Sequence, residues 1–230
     1  IELVECMIAG FEISNGFFDA RLLTHTLTRG FVESQSDPQV KTMWTARGLP
    51  VDTREQVSVN RSASTVRVPR GIGLDAGGIG KGLAADIIVR EAIDAGAHGA
   101  CVTVGGEVRV AGLAPRDGHW RVGVTAPDSD DNLDVLALVE GAAATSNADG
   151  WLANGRSHIV DPRDASRAPA LLQATAVCGY AWQAEVLAKA LVIQDPEAAI
   201  DFAHDIGCHA LVVTRDLETY ETSGWESLCI

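Results

Sequence analysis

Residues 71–86 read Gly71-Ile72-Gly73-Leu74-Asp75-Ala76-Gly77-Gly78-Ile79-Gly80-Lys81-Gly82-Leu83-Ala84-Ala85-Asp86. The glycine-rich front runs into an amphipathic helix over about residues 80–95. Glycines at 77, 78, 80 and 82 let the backbone come close to a ligand, and the first N–H groups of the helix face whatever sits there. Lys81 adds a cation, so the segment suits a pyrophosphate or another anion. It is not a P-loop, because Gly82 stands where GxxxxGK[ST] requires Ser or Thr. It also lacks the GxGxxG pattern with a following acidic ribose ligand. The same residues also read as no more than a tight strand-to-helix corner.

Upstream, Leu3, Met7 and Phe11 recur at four-residue spacing, which predicts a helix over residues 1–13 that Ser14-Asn15-Gly16 stops. Residues 51–69 alternate polar and apolar, predicting two short strands with a turn near 60–64. Downstream, residues 100–110 are β-rich and interrupted by Gly105-Gly106, read as a bulge or a close backbone approach. A strand follows at 120–124, then a solvated acidic loop at 128–134 that lacks the pattern of a calcium loop. Residues 136–140 and 141–146 read as a strand pair, and 157–160 as a short strand before the turn Asp161-Pro162-Arg163-Asp164. A strand at 173–179, helices at 181–193 and 197–206, and a strand at 210–214 complete the chain. Paired strands mixed with helices predict an α+β fold rather than regular βαβ units. No repeat or linker divides residues 1–230, which read as one domain.

The chain has 230 residues, 47% hydrophobic and 21% charged, with net charge −13. An acidic surface repels phosphate backbones, so nucleic acid is not an expected partner. No run is apolar for long enough to make a transmembrane segment. Cys6, Cys101 and Cys178 lie in apolar runs and read as buried free thiols, and five cysteines show no metal-type spacing.

Two further segments carry polar groups of interest. His158, within Ser157-His158-Ile159-Val160-Asp161-Pro162-Arg163, reads as a general base, a hydrogen-bond donor to a ligand, or a structural histidine. Glu185 and Lys189 stand four apart on a helix that is apolar on most sides, so their ion pair is expected to be partly buried.

Taken in order, these segments resemble the FAD:protein FMN transferase (ApbE) family along essentially the whole chain. Ser14-Asn15-Gly16-Phe17-Phe18-Asp19 is similar to that family's T-D-G-x-F-D turn, and LDAGGIGKGLAAD (residues 74–86) to its glycine-rich signature. VTVGGEVRVAG (102–112), HWRVGVTAP (119–127), GAAATS (141–146) and SHIVDPR (157–163) match its later motifs. The resemblance implies mixed sheets with packed helices and an FAD cleft between two halves. It implies that Asp75, Gly77, Gly78, Ile79, Lys81, Gly105, Gly106, Glu107, Thr145, Ser146 and His158 bind the cofactor, and that His158 and Asp161 are catalytic. It implies Mg²⁺ on the Gly78 carbonyl and Glu185. The implied reaction moves FMN from FAD to a threonine or serine of a target protein and releases AMP. An FAD-binding protein without transfer, and a pyrophosphatase giving FMN and AMP, are the alternatives.

The chain departs from the family pattern in several places. Glu185 and Lys189 stand where the family shows Asp and Thr or Ser as metal ligands, and a protonated lysine repels Mg²⁺. The expectation is that the Lys189 ammonium takes over part of the metal's charge. Asn147 follows Ser146 where Gly is common, and Asp164-Ala165 replaces Thr-Gly. The chain opens at Ile1, and the family's N-terminal strand and helix, which help hold the adenine and isoalloxazine, are expected to be missing from it. Both a cytoplasmic location and an exported, membrane-anchored one agree with the resemblance.

Overall fold

The computed structural model describes residues 1–33, 39–42, 56–115, 117–164 and 167–230. A six-stranded antiparallel sheet organises the molecule, in the order β12 (Thr219–Glu221), β11 (His209–Val213), β10 (Gln173–Cys178), β7 (Gly141–Asn147), β4 (Glu107–Gly112), β3 (Gly99–Val104). Helices cover one face. α3 (Gly80–Asp94) packs on β3 and β4, α4 (Ala181–Val192) on β7 and β10, and α5 (Pro196–Asp205) on β11. The hairpin of β5 (Trp120–Thr125) and β6 (Asn132–Leu138) lies on the other face, with Val122, Val124, Leu136 and Leu138 packed on Val110, Ala143, Val177 and Leu211. This α+β arrangement matches the expectation from paired strands.

The central strand β7 explains its own composition. Ala142 and Ala144 face the helices while Ala143 faces the hairpin, and all three are buried. A strand covered on both faces cannot alternate apolar and polar residues. For the same reason the expected pairing of 136–140 with 141–146 does not form. β6 pairs with β5, and the chain then crosses into the large sheet, where β7 pairs with β4 and β10.

At the N-terminal end, α1 (Glu2–Ile13) leads through a 3₁₀ turn (Ala20–Leu22) into α2 (Leu23–Thr28). α2 was missed in the sequence because its threonines and histidine blur the apolar period. β1 (Ser58–Asn60) and β2 (Thr65–Arg67) form the expected hairpin, whose predicted start at 51–55 lies outside the described residues. β8 (Leu152–Ala153) and β9 (Arg156–Ser157) make a small hairpin, so the strand expected at 157–160 begins earlier and gives way to extended loop. β12 was also missed.

Three further expectations are corrected. Gly105-Gly106 is not a bulge but the two-residue turn joining β3 to β4, with Val104 opposite Glu107. Its φ values of 61° and 105° are why both residues are glycine. The acidic stretch is a loop only up to residue 131. Asp134 lies in β6 and accepts the Trp225 indole N–H at 2.9 Å. Cys101 is exposed, because it points away from α3 on the edge strand, whereas Cys178 lies 3.4 Å from Cys208 between sulfur atoms.

Candidate active site

The starts of α3 and α4 cross at Gly82. A Cβ there would stand 2.4 Å from the Ala181 carbonyl oxygen, so only glycine allows this approach. The crossing brings two unsatisfied helix N-termini together, and each helix supplies a carboxylate to the other. Asp86 of α3 accepts the Ala181 and Trp182 N–H groups of α4, both at 2.9 Å. Glu185 of α4 accepts the Gly82 N–H of α3 at 2.8 Å. Both acids are buried.

The two ends differ in what else they meet. Asp86 pairs with the buried Arg109 at 3.2 Å, and Arg109 also donates to the Gly141 carbonyl. Burial pushes the Asp86 carboxyl above its ordinary value, with the two N–H bonds and Arg109 opposing. Glu185 instead meets two ammonium groups, Lys189 at 3.2 Å and Lys81 at 3.6 Å. Lys81 also pairs with Glu107, whose Oε2 is buried without a hydrogen-bond partner. Burial, then repulsion from Glu185, pushes the Glu107 carboxyl up. The Lys189 stem crosses Gly78: a Cβ there would lie 3.3 Å from its Cδ. The pair expected to be partly buried has a fully buried acid and a base that is 16% exposed.

This second end opens into a cleft of about 670 Å³. Asp75, Gly77, Gly78, Lys81, Gly105, Glu107, Thr145, Ser146 and His158 line it, together with Lys189. Asp75 shapes the glycine turn, accepting the Gly77 N–H at 2.8 Å. Thr145 and Thr175 share a hydrogen bond of 2.9 Å across β7 and β10. Four of the expected residues stand apart from that lining, Asp161 among them. The Ile79 side chain is buried against Met7, Phe18 and Val186, which leaves only its backbone for a ligand. Gly106 is exposed at the hairpin turn, and Glu185 lies beneath the lysines.

His158 and Asp161 differ as proton acceptors. His158 Nδ1 lies 3.2 Å from the Trp151 carbonyl oxygen. With the proton on Nδ1, the Nε2 lone pair is left for a ligand. Burial pushes the imidazole below its ordinary value of 6.5, and the Lys189 and Lys81 charges add to that. Asp161 is closed on Arg163, with guanidinium contacts of 3.0 and 2.9 Å and the Arg163 N–H at 2.9 Å. Burial alone pushes its carboxyl up, but these bonds outweigh it and hold the group below its ordinary value. Arg163 in turn stacks 3.5 Å above the Phe17 ring.

The sequence reading missed Asp86 and Arg109 as a structural pair, and the aromatic wall formed by Phe31 and Trp151. Those rings are 4.9 Å apart, with Trp151 5.7 Å from His158. Trp151 after Asp149-Gly150 was a signal, since a tryptophan in a polar turn needs something to cover it.

The donor set does not fit the expected Mg²⁺. An ion on Glu185 Oε1 would stand against two ammonium groups, and Oε2 is already held by Gly82. The unpartnered Glu107 oxygen belongs to a carboxylate that Lys81 already neutralises. Among the described residues, no three His, Cys, Asp or Glu side chains come together as a ligand set.

The sequence and fold were compared with known proteins. No curated protein sequence matches the chain. The fold is similar to a crystal structure of an ApbE protein from Thermotoga maritima, with TM-score 0.82, 23% identity, and coverage of 99% of this chain and 76% of that one. It is also similar to a flavinyl transferase ApbE of Pseudomonas stutzeri in its apo form, with TM-score 0.76, 22% identity, and coverage of 99% and 73%. A flavin transferase ApbE from Vibrio cholerae gives TM-score 0.76, 20% identity, and coverage of 99% and 75%. The ApbE family model matches residues 1–212, so the chain belongs to the ApbE family.

Proposed function

We propose that this protein binds FAD in the cleft and transfers FMN to a threonine or serine hydroxyl of a target protein, releasing AMP. The observation that carries this reading is one cleft lined by the glycine turn, two lysines and a histidine whose second ring nitrogen has no partner among the described residues. Family membership and the flavin-transferase names of similar structures support it. The cleft volume of about 670 Å³ is in the range of ligand sites.

In this reading the acceptor hydroxyl oxygen attacks the phosphorus of the FMN half. The bond from that phosphorus to the bridging oxygen breaks, and its electron pair leaves on the AMP phosphate. His158 Nε2 takes the hydroxyl proton, which a neutral imidazole at pH 7 can do. The Lys81 ammonium holds phosphoryl charge, because the Gly80 and Gly82 N–H groups at the start of α3 are already taken by Ala76 and Glu185. Asp161 positions Arg163 over Phe17 and does not serve as the base, because its carboxylate is already engaged.

The test incubates the protein with FAD and a peptide carrying a single threonine. AMP release matched by an FMN-sized mass gain on the peptide, and lost in the threonine-to-alanine peptide, supports transfer. AMP with free FMN indicates water as acceptor, and FAD binding without AMP indicates a carrier. The variant His158→Gln should lower the transfer rate by about 10²-fold or more while retaining FAD binding.

A further inference from the structure

We infer that this site holds the diphosphate of its ligand on the paired ammonium groups of Lys81 and Lys189, so that binding does not need a divalent cation. The ligand's being FAD rests on the function proposed above, whereas the diphosphate seat rests on the lysines themselves. Both line the cleft on either side of Gly78 and Gly105: Lys189 runs past Gly78, and Lys81 crosses Gly105, where a Cβ would lie 2.8 Å from its Cδ.

Charge explains why the second lysine matters. Glu107 is buried at the cleft wall, and Glu185 is buried just behind it, beneath the lysines. With Lys81 alone, that wall carries a net negative charge and repels a phosphate. A divalent cation is one way to reverse the sign. Lys189 supplies the other, because it brings the four charges into balance and leaves ammonium N–H donors unused by Glu185. The glutamates also fix the lysines in place before the ligand arrives, so little side-chain freedom is lost on binding.

The experiment titrates FAD into the full chain by flavin fluorescence, once with a chelator and once with Mg²⁺. We expect the two dissociation constants to agree within about twofold, a difference well under 1 kcal/mol. The variant Lys189→Met keeps the stem over Gly78 but drops the charge. It should bind about tenfold or more weakly in chelator and recover with Mg²⁺, while Lys189→Arg should stay chelator-insensitive. Circular dichroism of each variant separates this from unfolding. Loss of wild-type binding on chelation overturns the inference but keeps the flavin reading. Unchanged chelator affinity in a folded Lys189→Met variant overturns it as well. If FAD binds under neither condition, the flavin reading fails. Calorimetry with inorganic pyrophosphate in chelator then decides: binding that Lys189→Met abolishes supports the seat, and no heat overturns it.

Discussion

The crossing of α3 and α4 holds two carboxylates with the same local task and different consequences. Asp86 and Glu185 each satisfy N–H groups at the start of the opposite helix. Asp86 is then closed off by Arg109, which is itself buried and tied to the Gly141 carbonyl. Glu185 is closed by two lysines that also line a cleft, beside a glutamate oxygen without a partner. One end is a finished clamp, and the other has donors and an acceptor to spare. A helix-capping carboxylate becomes part of a binding site when its counter-charge can also reach a ligand.

The comparison predicts that Asp86→Ala is the most damaging change to stability. It leaves the buried Arg109 with only the exposed Glu140 carboxylate at 3.6 Å and two N–H groups without an acceptor, costing about 3–5 kcal/mol. At about 2–4 °C per kcal/mol for a chain of this size, the thermal midpoint should fall by roughly ten degrees. FAD affinity of the folded fraction should stay unchanged. A loss of affinity as large as the loss of stability would break the distinction between the two ends.

Gly82→Ala strikes the crossing itself. The added methyl meets the Ala181 backbone, which cannot swing aside like a flexible side chain. A loss of about 1–3 kcal/mol in denaturant melts is expected, larger than the helix-propensity gain of alanine. Here both ends move, so stability and FAD affinity should fall together.

Arg163→Met tests the neighbouring clasp. Asp161 has a depressed carboxyl, so its stabilisation is present above the ordinary value of 3.8 and is lost as pH falls through its lower folded value. The half-exposed Arg163 limits the effect to about 1 kcal/mol at neutral pH. Urea melts of both proteins should differ at pH 7 and converge well below pH 3.8. A difference that persists in acid would mean that Arg163 acts through Phe17 instead.

The smallest effect is a shift in pH profile. Burial holds the His158 imidazole below its ordinary value of 6.5, so the acid limb of the transfer rate should lie below that pH. Lys189, Lys81 and Asp75 are the charges that act on it. Lys189→Met removes one positive neighbour and should move the limb modestly upward. A limb above 6.5 would argue against His158 as the base.

Much of this was legible in the sequence where the signal is local. The helix after Gly80, the stop at Ser14-Asn15-Gly16 and the Glu185–Lys189 spacing follow from backbone preference and helical period. The α+β class followed from how strands and helices alternate. Where elements meet at a distance, local reading failed. Residues 136–140 and 141–146 are neighbours in sequence, yet β6 and β7 lie in different sheets. Gly105-Gly106 gives no clue whether the strands beside it continue or fold back.

The sequence alone therefore determined the family resemblance, the helices other than α2 and most strands, because short-range sterics and apolar periodicity are written residue by residue. Only the tertiary structure decided that Asp86 meets Arg109 while Glu185 meets Lys81 and Lys189. It also decided that Asp161 is occupied by Arg163 and that His158 turns Nδ1 to the Trp151 carbonyl. Buried charges take whichever partner the packing brings within reach, and the cost of leaving one unpaired fixes the choice after the helices have crossed.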